Sequence, residues 1–175
     1  MNLSNSEMGL IAVGCVAGGV LYYMRRPSEH FTWEELTAST TADQLGLDNT
    51  PDLAARLNLI KLAREILEPI RAEFGAIRVN SAYRSPEVNE AIGGSSTSKH
   101  MLGLAADITA YDYPNVTNDD IATWLWDNGY NMPLEQVITY EDTTHLHVAL
   151  DLDSPPREEF LVHTYEGTYL PWKPS

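Results

Sequence analysis

Three residues of the kinds that bind zinc stand in the central part of this sequence: His100, Asp107 and His147. The first two belong to the run SKHMLGLAAD at residues 98–107, and the third belongs to the run HLHVAL at residues 145–150. With no obvious fourth protein ligand, such a site leaves one coordination position open for water. An open position is typical of a hydrolytic zinc rather than a structural one, so these residues predict a metal site that activates water.

The surroundings of Asp107 predict a bound partner for its carboxylate. Asp107 lies in the apolar run of residues 104–108, which reads as a buried strand. An unpaired carboxylate is costly to bury, and either a metal ion or a cationic side chain would offset that cost. The alternative to a metal ligand is therefore a salt bridge with an arginine, and the local sequence leaves both open.

Two histidines stand two positions apart in a predicted strand, so that both side chains point to the same face. These are His145 and His147, while Leu146, Val148 and Leu150 point to the other face, toward the core. We assign His147 to the metal and His145 to the surroundings of the metal or to the substrate side. The spacing also allows the reverse assignment. A neutral imidazole is a common zinc ligand, and its second nitrogen usually requires a hydrogen-bond partner.

The elements that must position these residues are short helices and strands in mixed order. Helices are predicted at residues 31–36, 53–74, 87–92 and 119–128, the first with a capping box formed by Thr32 and Glu35. Strands are predicted at residues 76–81, 104–109, 136–140, 146–150, 160–165 and 168–170. Residues 37–50 are polar and predict a loop or a short turn. Because no βαβ alternation is present, the predicted class is α+β, with a small, mostly antiparallel sheet and flanking helices.

The longest predicted helix, residues 53–74, carries no assigned chemistry. Pro69 is expected to kink or break it, and Gly75 is expected to end it. An apolar stripe near the helical period predicts its buried face. The members of this stripe are Leu53, Leu57, Ile60, Ala63, Leu67, Ile70 and Phe74.

The N-terminal segment differs in character from the rest. Residues 8–24 carry no charged side chain and are followed by Arg25 and Arg26. This length is at the short end of the roughly 17–25 residues that a membrane-spanning helix requires. We expect residues 1–26 to form an uncleaved hydrophobic helix that serves as a membrane anchor or an assembly helix, ahead of one domain at residues 27–175. A secretory signal peptide is the alternative, although no basic residue precedes Met8.

Composition narrows the class of protein. The 175 residues are 43% hydrophobic, which is typical of a globular chain. The formal net charge of −14 disfavours nucleic acid as a partner. Cys15 is the single cysteine, so an internal disulfide and a cysteine-based zinc site are both excluded.

The run SAYRSPEVNEAIGGSSTSKHMLGLAADI, together with HLHVAL, resembles the zinc D-Ala-D-Ala carboxypeptidase family, and most closely its short phage and prophage-type members. The resemblance extends from FTWEEL at residue 31 to LVHTYEGTYLPW, and its SxHxxGxAxD pattern is specific because five residue types match at fixed spacing. It implies the α+β fold shared with hedgehog-type zinc domains, and hydrolysis of peptide bonds in peptidoglycan.

Carried over residue by residue, the resemblance assigns roles to five positions. It implies that His100, Asp107 and His147 bind zinc. It implies that Arg84, which its surroundings alone would leave as a surface arginine, holds substrate and stabilises the transition state. It further implies that Ser98 is a hydrogen-bonding residue on the substrate side of the site.

One position departs from the family pattern. Several relatives carry Glu or Asp as general base three residues before the last zinc histidine, and this chain has Thr144 there. Threonine is no proton acceptor at neutral pH, so Asp142 or His145 is expected to take that role. The alternative is a site that binds metal but hydrolyses substrate slowly or not at all.

The sequence thus predicts a zinc peptidase that cleaves peptidoglycan stem peptides or cross-links. We expect it to be virion-associated or membrane-anchored and to face the cell wall when it acts, with residues 8–24 contacting virion proteins or a membrane. The alternative is a structural virion or membrane-complex component that uses a peptidase-like domain for assembly or wall binding. Which peptide bond is cut stays open.

Overall fold

The computed structural model describes residues 26–112, 115–142, 145–152 and 159–174, with the backbone alone at Tyr130. The hydrophobic helix expected over residues 1–26 lies, apart from Arg26, outside these ranges. None of the helices within the described ranges is long and apolar enough to cross a membrane.

A six-stranded sheet forms the centre of the domain, and its strand order is β1-β2-β4-β3-β5-β6. The pair β3–β5 is parallel and the other neighbouring pairs are antiparallel. This confirms the predicted α+β class and mostly antiparallel sheet, and each predicted strand lies within two residues of the observed bounds. The strands are β1 Ile77–Ser81, β2 Ala105–Ala110, β3 Leu134–Tyr140, β4 Leu146–Leu150, β5 Glu159–His163 and β6 Tyr169–Pro171.

Six α-helices and shorter helical turns surround this sheet in the described ranges. The α-helices are α1 Trp33–Thr37, α2 Thr40–Leu45, α3 Leu53–Leu62, α4 Glu68–Phe74, α5 Pro86–Ala91 and α6 Asn118–Asn128. A π-helical turn, Ala63–Leu67, joins α3 to α4, and 3₁₀ turns cover Lys99–Leu102 and Gly129–Asn131. The capping box of Thr32 and Glu35 is confirmed at the start of α1.

The prediction of a loop or a short turn over residues 37–50 was wrong in its middle, where α2 forms. The Ser39 hydroxyl accepts the backbone N–H of Ala42 and caps the helix. Gly46 ends it in the left-handed conformation, with φ of 67°. Two well-formed caps therefore stabilise a short helix whose polar composition gave no apolar period to detect.

The long helix continues through Pro69 rather than breaking, because a π turn ends at Leu67, two residues before the proline. A wider turn relieves the clash between the proline ring and the preceding carbonyl. The extra residue in that turn rotates the buried face of α3 by roughly one position. Leu59 and Leu62 are consequently buried, whereas Leu53 and Leu57, predicted to be buried, are 74% and 58% exposed.

Alternation along the strands divides the sheet into two faces. One face packs against the helices in the main core. Asp107 and His147 are direct cross-strand partners on the other face, with Arg78 opposite Thr109 and Ile138 opposite His147. We call this second side the open face. The core side chains on the helix-covered face include Ile77, Ile108, Val137, Leu146 and Val148.

Gly103, which links the His100 turn to β2, is expected to be intolerant of a side chain. Its φ is +69°, and a Cβ would lie 2.5 Å from the carbonyl oxygen of Ala55 in α3. Gly103→Ala should lower the free energy of unfolding by about 2–3 kcal/mol, measured by chemical denaturation. Gly46→Ala is the matched control, since its φ is +67° but no atom lies within 4 Å of the added Cβ. Equal losses in the two variants would show that the Ala55 contact has no effect.

Candidate active site

His100 is presented by the 3₁₀ turn Lys99–Leu102 and is almost fully buried, at 3% exposure. Its Nδ1 lies 2.6 Å from the carbonyl oxygen of Ala82, to which only a protonated nitrogen can donate. This hydrogen bond fixes the tautomer and leaves the lone pair of Nε2 for a metal. The backbone N–H of Arg84 donates to the carbonyl of His100 at 3.2 Å, so the turn and the loop after β1 hold each other in place.

The three predicted ligands come together on the open face. Nε2 of His100 lies 3.3 Å from Nδ1 of His147 and 3.3 Å from Oδ1 of Asp107. Nδ1 of His147 lies 2.9 Å from the same oxygen. Ligand atoms of a tetrahedral zinc with bonds of about 2.0–2.1 Å stand about 3.3 Å apart, so the residues fit such an ion. Within the described ranges these residues form a group able to hold a metal.

The protonation states of this cluster also suit a metal. Burial raises the pKa of the Asp107 carboxyl, but interactions with His100 and His147 together outweigh it and hold that pKa well below its ordinary value. Burial lowers the pKa of His147, although the hydrogen bond to Asp107 opposes this. An ionised carboxylate and a neutral imidazole at neutral pH are the forms that bind metal ions.

Arg84 contacts Asp107, one of the three candidate metal ligands. Its Nη2 donates to Oδ2 of Asp107, and its Nε donates to the hydroxyl of Ser81 at 2.8 Å. Asp107 thus turns one oxygen to the two histidines and the other to Arg84. The arginine salt bridge, weighed as the alternative to a metal ligand, is therefore present together with the metal-binding geometry.

A cavity of about 680 Å³ opens over the cluster, and we call it the metal cavity. The loop that precedes His100 forms one wall, and this wall includes Ser98, whose contact with substrate stays a prediction. Strand β3 forms the opposite wall with Ile138 and Tyr140, and Tyr169 of β6 joins it. Arg84 and the three ligands also line this cavity, so a bound peptide could reach both the metal and the guanidinium.

Of the two candidates for the general base, one lines the metal cavity and the other does not. His145 lines the metal cavity, as does His147, and its ring lies 4.1 Å from that of Tyr140. Burial lowers the pKa of His145, with the charge of Asp107 opposing the shift. Asp142 is exposed in the turn after β3 and is not among the residues lining this cavity. Thr144 lies outside the described residues, and the role of the base stays a prediction.

Residues 29–149 match the sequence profile of peptidase M15. The chain belongs to the peptidase M15 family. It is also 32% identical over 80 residues to a D-alanyl-D-alanine carboxypeptidase from Enterococcus faecalis (strain ATCC 700802 / V583). That alignment covers 46% of this chain and 30% of the relative, so the chain spans well under two thirds of the relative's length.

Membership of M15 confirms the family resemblance and, with it, the prediction of a zinc metallopeptidase-type domain. The matched range contains His100, Asp107 and His147, the group able to hold a metal ion. The M15 match thus covers the residues that line the metal cavity except Tyr169, which follows the matched range.

Sequence reasoning missed several residues of this M15 site. Glu135 is buried at the bulge in β3 and pairs with Lys99 across the metal cavity, with 2.6 Å between Nζ and Oε2. Tyr140 is half-buried, and burial raises the pKa of its phenol, so that it stays protonated and able to donate. A carboxylate directly before the strand predicted at residues 136–140 was a usable signal for Glu135. The period of two, which places Tyr140 on the face of Ile138, was the signal for Tyr140.

Proposed function

We propose that the protein is a zinc-dependent peptidase that hydrolyses peptide bonds in peptidoglycan stem peptides or cross-links. The observation that carries this proposal is the convergence of His100, Asp107 and His147 beside Arg84 in an open cavity. Membership of M15 supports the reaction class, and the name of the relative, a D-alanyl-D-alanine carboxypeptidase, supports the substrate class.

Two imidazoles and one carboxylate form a donor set that suits zinc. Zinc held by these three residues would act as a Lewis acid and lower the pKa of water toward about 7. The chain contributes by orienting its ligands: Ala82 holds the ring of His100, and Arg84 holds the carboxylate of Asp107. Such outer contacts keep the ligand set in position before substrate enters.

In this proposal, Arg84 stabilises negative charge on the scissile carbonyl oxygen. Ser81 and Asp107 each take one of its donors, which fixes the guanidinium plane at the metal cavity. A preorganised cation at the position where charge develops costs no reorganisation during the reaction. Tyr140 lines the same cavity and, as a protonated phenol, supplies a further donor to that oxygen.

His145 is the residue that we propose as general base, because it lines the metal cavity two positions before a ligand. Its imidazole would take the proton from the attacking water and return it to the leaving amine. His145→Ala should lower kcat by about 10²–10⁴-fold on a peptide ending in D-Ala-D-Ala, with zinc content unchanged. Asp142→Ala is the comparison and should stay within a few-fold of wild type. A larger loss in Asp142→Ala would move the role to Asp142.

Digestion of purified peptidoglycan by the zinc-loaded full chain tests the proposed activity. Mass spectrometry should show shortened stem peptides or split cross-links. Release of free D-alanine identifies a carboxypeptidase, whereas conversion of cross-linked dimers to monomers identifies an endopeptidase. Intact peptidoglycan after incubation with a zinc-saturated protein would reject the proposal.

The cellular setting belongs to the same proposal. We place the protein at a virion or membrane, facing the cell wall when it acts, with residues 8–24 as the attaching segment. Their uncharged sequence followed by Arg25 and Arg26 motivates this placement. Deletion of residues 1–26 should release an active domain from particles or membranes. A deletion variant that stays attached would overturn the placement.

A further inference from the structure

A second cavity, of about 650 Å³, lies on the open face beside β1. We call this second cavity the edge cavity, because β1 is an edge strand of the sheet. His145 lines both this cavity and the metal cavity. The two cavities therefore flank one imidazole, and a bound chain that passes His145 would reach from one into the other. The edge cavity is lined by Arg78, Asn80, Thr109, Ala110, Tyr111 and His145.

The edge cavity contains a cationic side chain with no acidic partner in the part of the chain that the structure describes. Arg78 is exposed on β1 opposite Thr109, and no described carboxylate lies within 4.0 Å of its guanidinium nitrogens. Arg56 and Arg71 also have no described carboxylate within 4.0 Å of their guanidinium nitrogens, so the feature that distinguishes Arg78 is the cavity that it lines. A guanidinium in this state presents its full donor fork to a carboxylate.

The neighbours of Arg78 give the edge cavity a defined shape. The side-chain amide of Asn80 donates to the hydroxyl of Thr109 at 2.7 Å, which ties β1 to β2 across the cavity. Tyr111 follows β2 and is 71% exposed, with its backbone N–H held by the carbonyl of Ala76 at 3.0 Å. An exposed ring on a fixed backbone beside an arginine offers apolar contact area next to a charge.

An edge-strand arginine often serves only to keep the edge from pairing with another chain. Arg78 differs from that case because it lines a cavity, and because that cavity shares His145 with the metal cavity. An arginine that only prevents strand pairing at the edge would need neither a cavity beside it nor a connection from that cavity to the metal cavity.

We propose that the edge cavity is a substrate subsite that takes a peptide residue with a free carboxylate, bound by Arg78 and covered by Tyr111. This inference rests on the proposed peptidase function and specifies its substrate. The substrate is an extended acidic peptide that crosses His145, with the scissile bond over the metal cavity. A neutral dipeptide would leave the edge cavity empty and would bind more weakly.

Two fluorescein-labelled stem peptides test the subsite: L-Ala-D-Glu-L-Lys-D-Ala-D-Ala and the same peptide with D-Gln in place of D-Glu. Their affinities for the zinc-loaded full chain are measured by fluorescence polarisation. Wild type should bind the carboxylate peptide about tenfold more tightly than the carboxamide peptide. Arg78→Ala should lose this preference, and Arg78→Lys should keep part of it. Arg71→Ala, in α4 on the far side of the sheet, is the matched control and should keep the full preference.

Mass spectrometry of the same samples reports hydrolysis separately, so the two proposals fail independently. Equal affinities for the two peptides in wild type, or a preference that survives Arg78→Ala, overturn the subsite whether or not the peptides are cleaved. A preference that depends on Arg78 without any cleavage supports the subsite and counts against the peptidase function.

Discussion

His100→Asn should yield a folded protein that no longer holds zinc and hydrolyses peptides at least about 10³-fold more slowly. Asparagine places its side-chain nitrogen near the position of Nδ1, so the hydrogen bond to Ala82 can persist. It offers nothing at the position of Nε2, which is the atom that faces Asp107 and His147. A Lewis acid contributes several kcal/mol to transition-state stabilisation, and each 1.36 kcal/mol is about tenfold in rate.

Metal analysis, circular dichroism and initial rates on a D-Ala-D-Ala peptide check this expectation. His100→Ala is the harsher variant, since it also leaves the carbonyl of Ala82 without its partner in a buried site. His30→Ala is the control for loss of a histidine, because His30 is exposed and pairs with Glu68 far from the metal cavity. Normal zinc content and normal rates in His100→Asn would contradict the ligand assignment.

Arg84→Lys should separate the two roles of the arginine. Lysine keeps a positive charge near Asp107 but cannot hold Ser81, Asp107 and a substrate oxygen with one planar fork. We expect zinc content to stay near that of wild type, while kcat falls by about 10–10²-fold and KM changes less. Arg84→Ala should lose about 10²–10³-fold in kcat, the usual effect of removing one preorganised donor.

Arg84→Ala should also weaken zinc binding, because Oδ2 of the buried carboxylate then has no cation beside it. Steady-state kinetics and zinc titration on both variants, with Arg71→Ala as the control for loss of an arginine, measure the two effects. A wild-type kcat in Arg84→Lys would show that the arginine serves only to hold the Asp107 carboxylate.

Local patterns predicted part of the ligand set, whereas the choice of His147 over His145 as the metal ligand rested on the family resemblance. Asp107 lies in an apolar strand where a carboxylate needs a partner, and His147 lies where a period of two directs its side chain to the open face. The prediction that Asp107 pairs with an arginine or a metal left both alternatives open. The structure shows that each of its oxygens faces a different partner.

Other features could not be predicted from the sequence, because they depend on residues far apart in the chain. The pair of Lys99 and Glu135 forms across the metal cavity, and neither residue alone marks the other as its partner. The edge cavity exists because β2 lies between β1 and β4, a strand order that no local pattern encodes. The buried face of α3 was misplaced because a π turn interrupts the helical period at Ala63–Leu67.

The zinc content of the full chain, measured together with its hydrolytic rate, tests the central claim most directly. The purified protein should carry about one zinc per chain, lose zinc and activity together on treatment with a chelator, and regain both when zinc is restored. A metal-free protein that releases products from peptidoglycan at an undiminished rate would contradict the account.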